Sequence, residues 1–133
     1  MREIKFRAYF PGNGLFPVKE LIFKEDSLYQ IVLDADGMGV TFNPSGLDMT
    51  DLMQYTGYKD ANGVEIYHKD IAKTKSGVIG VINWDNTYMC WSFDAIMPCN
   101  FTKPLFQFRD FNGVELEIVG NVFENPELLE AKQ

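Results

Sequence analysis

The chain has 133 residues, 46% hydrophobic and 14% aromatic, enough apolar material for one domain or two small subdomains and too much for a disordered segment. Its 12 basic residues stand against 19 acidic ones, a formal charge of −7, which speaks against a sequence-independent DNA binder, because phosphate attraction needs a basic surface. Collagen, coiled-coil, transmembrane and disulfide-scaffold classes are excluded by the same composition.

The chain opens on Ile4, Phe6 and Ala8 alternating with Glu3, Lys5 and Arg7. That is the period of a half-buried strand, and it leaves no continuous apolar signal core, so a cytoplasmic location is expected. Pro11-Gly12-Asn13-Gly14 is a breaker cluster, read as a turn because it lacks the Gly-Lys-Ser/Thr ending of a phosphate loop. A short run starts at Leu21-Ile22-Phe23, and Tyr29 to Leu33 reads as a strand from its aromatic and β-branched content. Asp34-Ala35-Asp36-Gly37 turns the chain into Met38 to Phe42, and Asn43-Pro44-Ser45-Gly46 marks a subdomain edge. Asp48 to Asp51 offers a helix cap, but Tyr55-Thr56-Gly57 does not sustain a helix, and Leu52 to Tyr58 is read as extended.

A near-repeat comes next: Lys59-Asp60-Ala61-Asn62-Gly63-Val64-Glu65-Ile66 resembles Arg109-Asp110-Phe111-Asn112-Gly113-Val114-Glu115-Leu116. Asn-Gly tolerates positive φ, so each copy predicts a hairpin turn. A calcium loop on Asp60 and Asn62 would need further ligands and a closing glutamate, which are missing. Gly77 to Trp84 is the strongest strand signal, and Met89 to Phe93, Leu105 to Phe108 and Glu115 to Val119 supply others. Asn125-Pro126-Glu127-Leu128-Leu129-Glu130 predicts a short terminal helix, with Asn125 as cap and proline at the first position. The expected fold is mainly β and barrel-like, with a short C-terminal helix.

No catalytic set accompanies these elements. The lone His68 cannot build a zinc site and has no nucleophile motif beside it. Cys90 and Cys99 are expected to be core residues or free thiols in a reducing compartment. No cofactor or metal is assigned, and the chain is expected not to be an enzyme. A magnesium site on Asp60, Asp70 and Asp85 is a weaker alternative, since acids at turns mostly cap or meet water.

Three blocks, in order, resemble the YopX-like family of phage and prophage proteins. They are Met1-Arg2-Glu3-Ile4-Lys5-Phe6-Arg7-Ala8, then Leu52-Met53-Gln54-Tyr55-Thr56-Gly57 through Lys59-Asp60 and Asn62-Gly63 to Asp70-Ile71, then Ile118 to Leu129. One departure stands out: the family usually has an acid and a glycine between the tyrosine and the aspartate, where this chain has His68-Lys69. The resemblance implies a β-rich N-terminal subdomain, placed here at residues 1–58, and an SH3-like barrel with a helical tail at 59–133. It carries over no catalytic residues, and fold alone does not imply function.

The expectation is therefore a phage or prophage accessory protein of uncharacterised role, acting through protein–protein contacts as a homo-oligomer, with a host or phage protein as a further partner and no membrane. Aromatic and long apolar residues carry it: Tyr55, Tyr67, Trp84, Trp91, Phe123, Leu128 and Leu129 are the interface candidates. The alternative is single-stranded nucleic-acid binding by exposed rings beside cations, with Lys73 and Lys75 near Tyr67, Lys103 near Phe101, and Arg2, Lys5 and Arg7 as candidates. The charge of −7 disfavours nucleic acid as a partner.

Overall fold

The structure is a computed structural model that describes residues 3–10, 14–25, 27–35, 38–42, 52–96, 98–110 and 113–130. It is mainly β, and the chain divides into two compact units between Gln54 and Tyr55. The division falls within a strand, so no Gly- or Pro-rich linker marks it. The composition shift at residues 43–46 and the predicted turns at residues 11–13, 36–37 and 111–112 lie outside the described residues.

The first unit contains β1 (Phe6–Phe10), β2 (Gly14–Lys24), β3 (Ser27–Ala35), β4 (Met38–Phe42) and the start of β5 (Leu52–Lys59). All its pairings are antiparallel. β1 lies between β2, with Arg7 opposite Pro17, and β5, with Ala8 opposite Leu52. The alternation read at the N-terminus holds only from Phe6 on: Ile4 precedes β1 and is exposed, Phe6 is half-buried, and Ala8 and Phe10 are buried, with Ile31, Leu33 and Leu52 beside them. β2 is one strand of 11 residues rather than a short run beginning at Leu21.

The second unit holds the rest of β5, β6 (Glu65–Tyr67), β7 (Asp70–Lys73), β8 (Ile79–Asp85), β9 (Cys90–Ala95), β10 (Thr102–Pro104), β11 (Arg109–Asp110), β12 (Gly113–Val114) and β13 (Glu117–Asn121). Five of these form an antiparallel sheet in the order β10-β9-β8-β7-β13. Among the described residues β10 and β13 share no pairing, so the ladder is open at both ends. The strand period builds the core: Ile82 on β8 and Trp91, Phe93 and Ala95 on β9 turn inward, where they meet Ile66, Ala72, Leu105 and Leu116. Each fully buried large side chain of this kind is worth about 1.5–3 kcal/mol. Two 3₁₀ turns, Leu105–Phe108 and Pro126–Leu129, are the helical elements among the described residues. The terminal helix is thus a single 3₁₀ turn. Asn125 does not cap it, because its Oδ1 accepts the Asn121 N–H instead, at 3.2 Å.

The first Asn-Gly copy lies against the described part of the second, residues 113–116. Asp60 bridges Val114, and the Ala61 N–H donates to the Leu116 carbonyl at 3.2 Å. Their glycines serve different needs. Gly63, at φ +82°, is an exposed turn residue with open space where a Cβ would sit. Gly113, at φ +126°, has the Lys59 and Asp60 carbonyl oxygens 2.7 and 2.9 Å from that position, closer than any side chain allows. Asp60 is fully buried. Its Oδ1 accepts the N–H groups of Asn62 and Val64, both at 2.9 Å, and its Oδ2 accepts that of Ile118 at 3.0 Å.

These contacts set the cost of substitution. Gly63→Ala should cost about 1–2 kcal/mol through left-handed strain alone, and Gly113→Ala roughly 3 kcal/mol or more, since strain and a steric clash combine. Urea denaturation of the two variants checks the order, and equal losses would refute it. Asp60→Asn should cost about 2–4 kcal/mol, because an amide NH₂ would face backbone donors in a buried site. A loss below about 1 kcal/mol in the same assay would mean that the carboxylate is not the anchor of this region.

Candidate functional site

The three carboxylates considered for a metal are engaged by the backbone. Asp60 accepts its three N–H groups, Asp70 Oδ2 accepts the Tyr67 N–H at 2.8 Å, and Asp85 Oδ1 accepts the N–H groups of Thr87 and Tyr88 at 2.8 and 3.4 Å. Among the described residues no group of three or more His, Cys, Asp or Glu side chains is placed to hold a metal ion. Cys90 and Cys99 are free thiols, the first half-buried and the second exposed.

Of the cations singled out for nucleic acid, Arg2 lies outside the described residues, and Lys5 pairs with Glu3 at 3.3 Å. Lys73 pairs with Glu117 at 3.8 Å, and Lys75 with Glu115 at 3.5 Å. The ring meant to accompany them, Tyr67, is buried, with its centroid 5.5 Å from that of Tyr55. Lys103 Nζ lies 4.6 Å from the Phe108 ring centroid. Phe101 packs on Phe93 at 6.0 Å while remaining partly exposed. Exposed ion pairs of this kind add little stability, but each cancels a charge that phosphate would need.

The aromatic excess gathers elsewhere in the second unit. Trp84 lies near the end of β8 and Trp91 lies opposite it on β9, so their side chains share a face. Their rings meet edge to face, with centroids 5.1 Å apart and planes at 76°, a favoured aromatic geometry. Trp91 is 7% exposed and belongs to the core, while Trp84 is 36% exposed. Together with Thr56, Gly57, Tyr58, Met89, Cys90 and Phe106 they line a groove of about 400 Å³. A neighbouring hollow of about 620 Å³ shares Cys90 and Phe106 and adds Asp85, Tyr88, Lys103 and Gln107 among others. Tyr88, Met89 and Phe106 are 75%, 67% and 55% exposed, a concentration of large apolar side chains that marks a contact surface more than a scatter of single residues would.

Trp91 carries an unusual feature. Its Nε1 is buried and has no hydrogen-bond partner among the described residues. Buried indole N–H groups normally find an acceptor, and an unpaired one costs free energy. Beside it, the His68 ring centroid is 5.4 Å from that of Trp91. Burial lowers the His68 pKa below its ordinary 6.5, the Lys69 ammonium lowers it further, and a hydrogen bond with Asn83 opposes both. Asn83 Nδ2 donates in turn to Asp94 Oδ2 at 2.7 Å, and Ser92 Oγ bonds Asp94 Oδ1 at 3.0 Å.

Of the predicted interface residues, the structure brings Trp84 and Trp91 together and places the others elsewhere. Tyr55 and Tyr67 pack on each other in the interior. Phe123 is half-buried with Lys69 Nζ 5.4 Å from its ring centroid. Leu128 lines a separate hollow of about 330 Å³ with Val78, Ile79, Ile96 and Cys99 of its own unit, and Leu129 is half-buried. Tyr88 and Met89 escaped the sequence reading because they lie in and beside a turn. The available signal was a tyrosine and a methionine just after Asp85-Asn86-Thr87, where a hairpin tip ordinarily carries polar residues. No helix among the described residues is long and apolar enough to cross a membrane.

Comparison with known proteins agrees with this architecture. Residues 5–130 match the family described as YopX protein. The crystal structure of protein EF1440 from Enterococcus faecalis is similar, with 26% identity and a TM-score of 0.63, over 98% of this chain and all of that one (100%). No curated protein matches.

The lowered His68 pKa has a signed consequence. Between the folded value and 6.5 the unfolded chain binds more protons than the native one, so stability rises with pH there. The contribution is present above pH 6.5 and is lost as pH falls through the folded value. Urea midpoints measured across that window should fall with acidification, and His68→Gln should flatten the trend. An unchanged slope in the variant would assign the dependence to other groups.

Proposed function

The chain belongs to the YopX family, and we propose that it is a non-catalytic accessory protein that works by protein–protein contacts made through the aromatic groove of its second unit. The setting that the family resemblance suggests is a phage or prophage. The observation that carries the reading is the exposure of Trp84, Met89 and Phe106 around the groove, with exposed Tyr88 in the neighbouring hollow. Aromatic residues and methionine are enriched where proteins meet, and tryptophan anchors are over-represented among the residues that dominate binding. Trp91 and the core under it hold the floor of the groove rigid, so a partner would meet a preformed surface.

Self-association is the second reading, in which the groove takes an apolar side chain of another copy. The tail lends it no support, because Leu128 already lies against its own unit. Single-stranded nucleic acid is the third, and the paired Lys73 and Lys75 and the charge of −7 count against it.

Selection of peptides from a random display library on the intact chain tests the proposal, with the double variant Trp84→Ala, Phe106→Ala as counter-target. Both residues are exposed, so the variant keeps the core. Binders should emerge that lose about tenfold or more in affinity for the variant. Light scattering at increasing concentration reads self-association at the same time. Failure to enrich any peptide that depends on the two residues, or tighter binding of an oligonucleotide than of any peptide, would overturn the reading.

A further inference from the structure

We infer that the hollow beside the aromatic groove takes an arginine side chain of a partner protein, its guanidinium laid against the exposed rings of Tyr88 and Phe106 and paired with the Asp85 carboxylate. The inference rests on the reading of this face as a protein-contact surface and names the group that the surface recognises.

Three observations select this occupant. The first is an unmatched carboxylate. Asp85 is half-buried and lines the hollow of about 620 Å³. Its Oδ1 accepts the N–H groups of Thr87 and Tyr88, which fixes the side chain at the tip between β8 and β9. Among the described residues its Oδ2 accepts no hydrogen bond and no cation pairs with it, whereas Lys73 and Lys75 have their glutamates. The second is the company that this carboxylate keeps. Tyr88 and Phe106 line the same hollow, and both are exposed. A ring face attracts a cation, and a guanidinium, flat and weakly hydrated, both stacks on rings and forks onto a carboxylate, where an ammonium is a strongly hydrated point charge. Lys103, the cation among the lining residues, has its Nζ 4.6 Å from the Phe108 ring centroid and makes no ion pair among the described residues, so it leaves the carboxylate to an incoming charge. The chain as a whole carries −7, which draws a cationic partner and repels a polyanion. The third is backbone strain. Met89, exposed beside Tyr88, holds φ +53°, a left-handed conformation that suits glycine and disfavours an L-residue. A long apolar side chain at a strained, solvent-facing position is set for contact rather than for folding.

The probe is the peptide acetyl-Gly-Arg-Gly-amide, titrated into the intact ¹⁵N-labelled chain, with citrulline, lysine or glutamate replacing arginine in the control peptides. The backbone resonances of Tyr88, Met89 and Gln107 should move saturably with the arginine peptide. The citrulline peptide, isosteric and uncharged, should bind about fivefold more weakly or worse, and the lysine peptide should fall between the two. Asp85→Asn keeps an oxygen for the N–H groups of the tip and should lose about fivefold, the worth of one partly exposed charge-assisted contact. Phe106→Ala, at an exposed position, should weaken binding severalfold. Lys103→Gln removes the like charge from the hollow and should tighten it, a change of sign that a merely structural role would not produce.

Equal binding of the arginine and citrulline peptides overturns the inference, and so does the absence of a saturable response or a response confined to residues outside the hollow. Preference for the glutamate peptide, or weaker binding by Lys103→Gln, overturns it in favour of an anion held by Lys103. Should Asp85→Asn disturb the fold, the citrulline comparison and Lys103→Gln decide the matter. Failure here is distinguishable from failure of the broader reading: library peptides that need Trp84 and Phe106 but contain no arginine would leave the contact surface standing and remove this ligand.

Discussion

One buried carboxylate holds the second unit together. Asp60 collects three backbone N–H groups, two from its own turn and one from Ile118, 58 residues further along the chain. Hydrogen bonds to a charged acceptor are stronger than neutral ones, and burial leaves no water to replace them. The Asn62-Gly63 hairpin is thereby fixed to the start of β13, and the Gly113–Val114 strand lies against the Asp60 backbone at a distance that only glycine permits. Because β13 pairs with β7, and β7 with β8, the carboxylate ties one edge of the sheet to the turn that precedes β6. The groove depends on this arrangement: Thr56, Gly57 and Tyr58 reach it from the strand that leads into Asp60.

Trp91 has two allegiances. Its ring is part of the core with Ile82 and Phe93, and the residue also lines an open groove. A core residue is held by packing and so presents a fixed surface, which is what a recognition site requires. Trp84, the partner across the strand pair, is set by the same register but lies where β8 ends, so one half of the pair is anchored and the other half meets solvent. Electrostatics plays a small part in this region. Lys73 and Lys75 are matched by Glu117 and Glu115 on the neighbouring segment, and Lys103 lies over a phenylalanine.

Much of the fold was legible in the sequence because strand period is a local signal. Ile4 to Ala8 alternate and Gly77 to Trp84 is a nearly continuous apolar run, and both fall in or beside strands, where Ala8 and Ile82 are buried and Ile4 and Trp84 are not. The length of β2 was not legible, since Pro17 breaks the pattern yet sits in the strand opposite Arg7. The role of Asp60 was hidden for another reason. An aspartate before Asn-Gly announces a turn, but nothing near it announces that the amide of Ile118 will arrive. The candidate site was half legible: an aromatic excess is countable, and Trp84 and Trp91 were named from it. Which aromatics stay outside depends on where strands end and on what packs beneath, so Tyr55 and Tyr67 went inward while Tyr88 and Met89 came out.

The His68-Lys69 turn bears on the order in which the protein assembles. Lys69 holds φ +71°, a left-handed conformation in the slot where the family usually has glycine, and it costs an L-residue about 1–2 kcal/mol. One local bond spans the turn, from the Tyr67 N–H to Asp70 Oδ2 at 2.8 Å. Two more come from afar: the Lys69 N–H donates to the Ile82 carbonyl at 2.7 Å, and its own carbonyl accepts the Val122 N–H at 3.0 Å. Those two exist only once β8 and the end of β13 are present. Substitutions at Lys69 would then bear more on the unfolding rate than on the folding rate, so this turn sets how long the native state lasts more than how quickly it is reached.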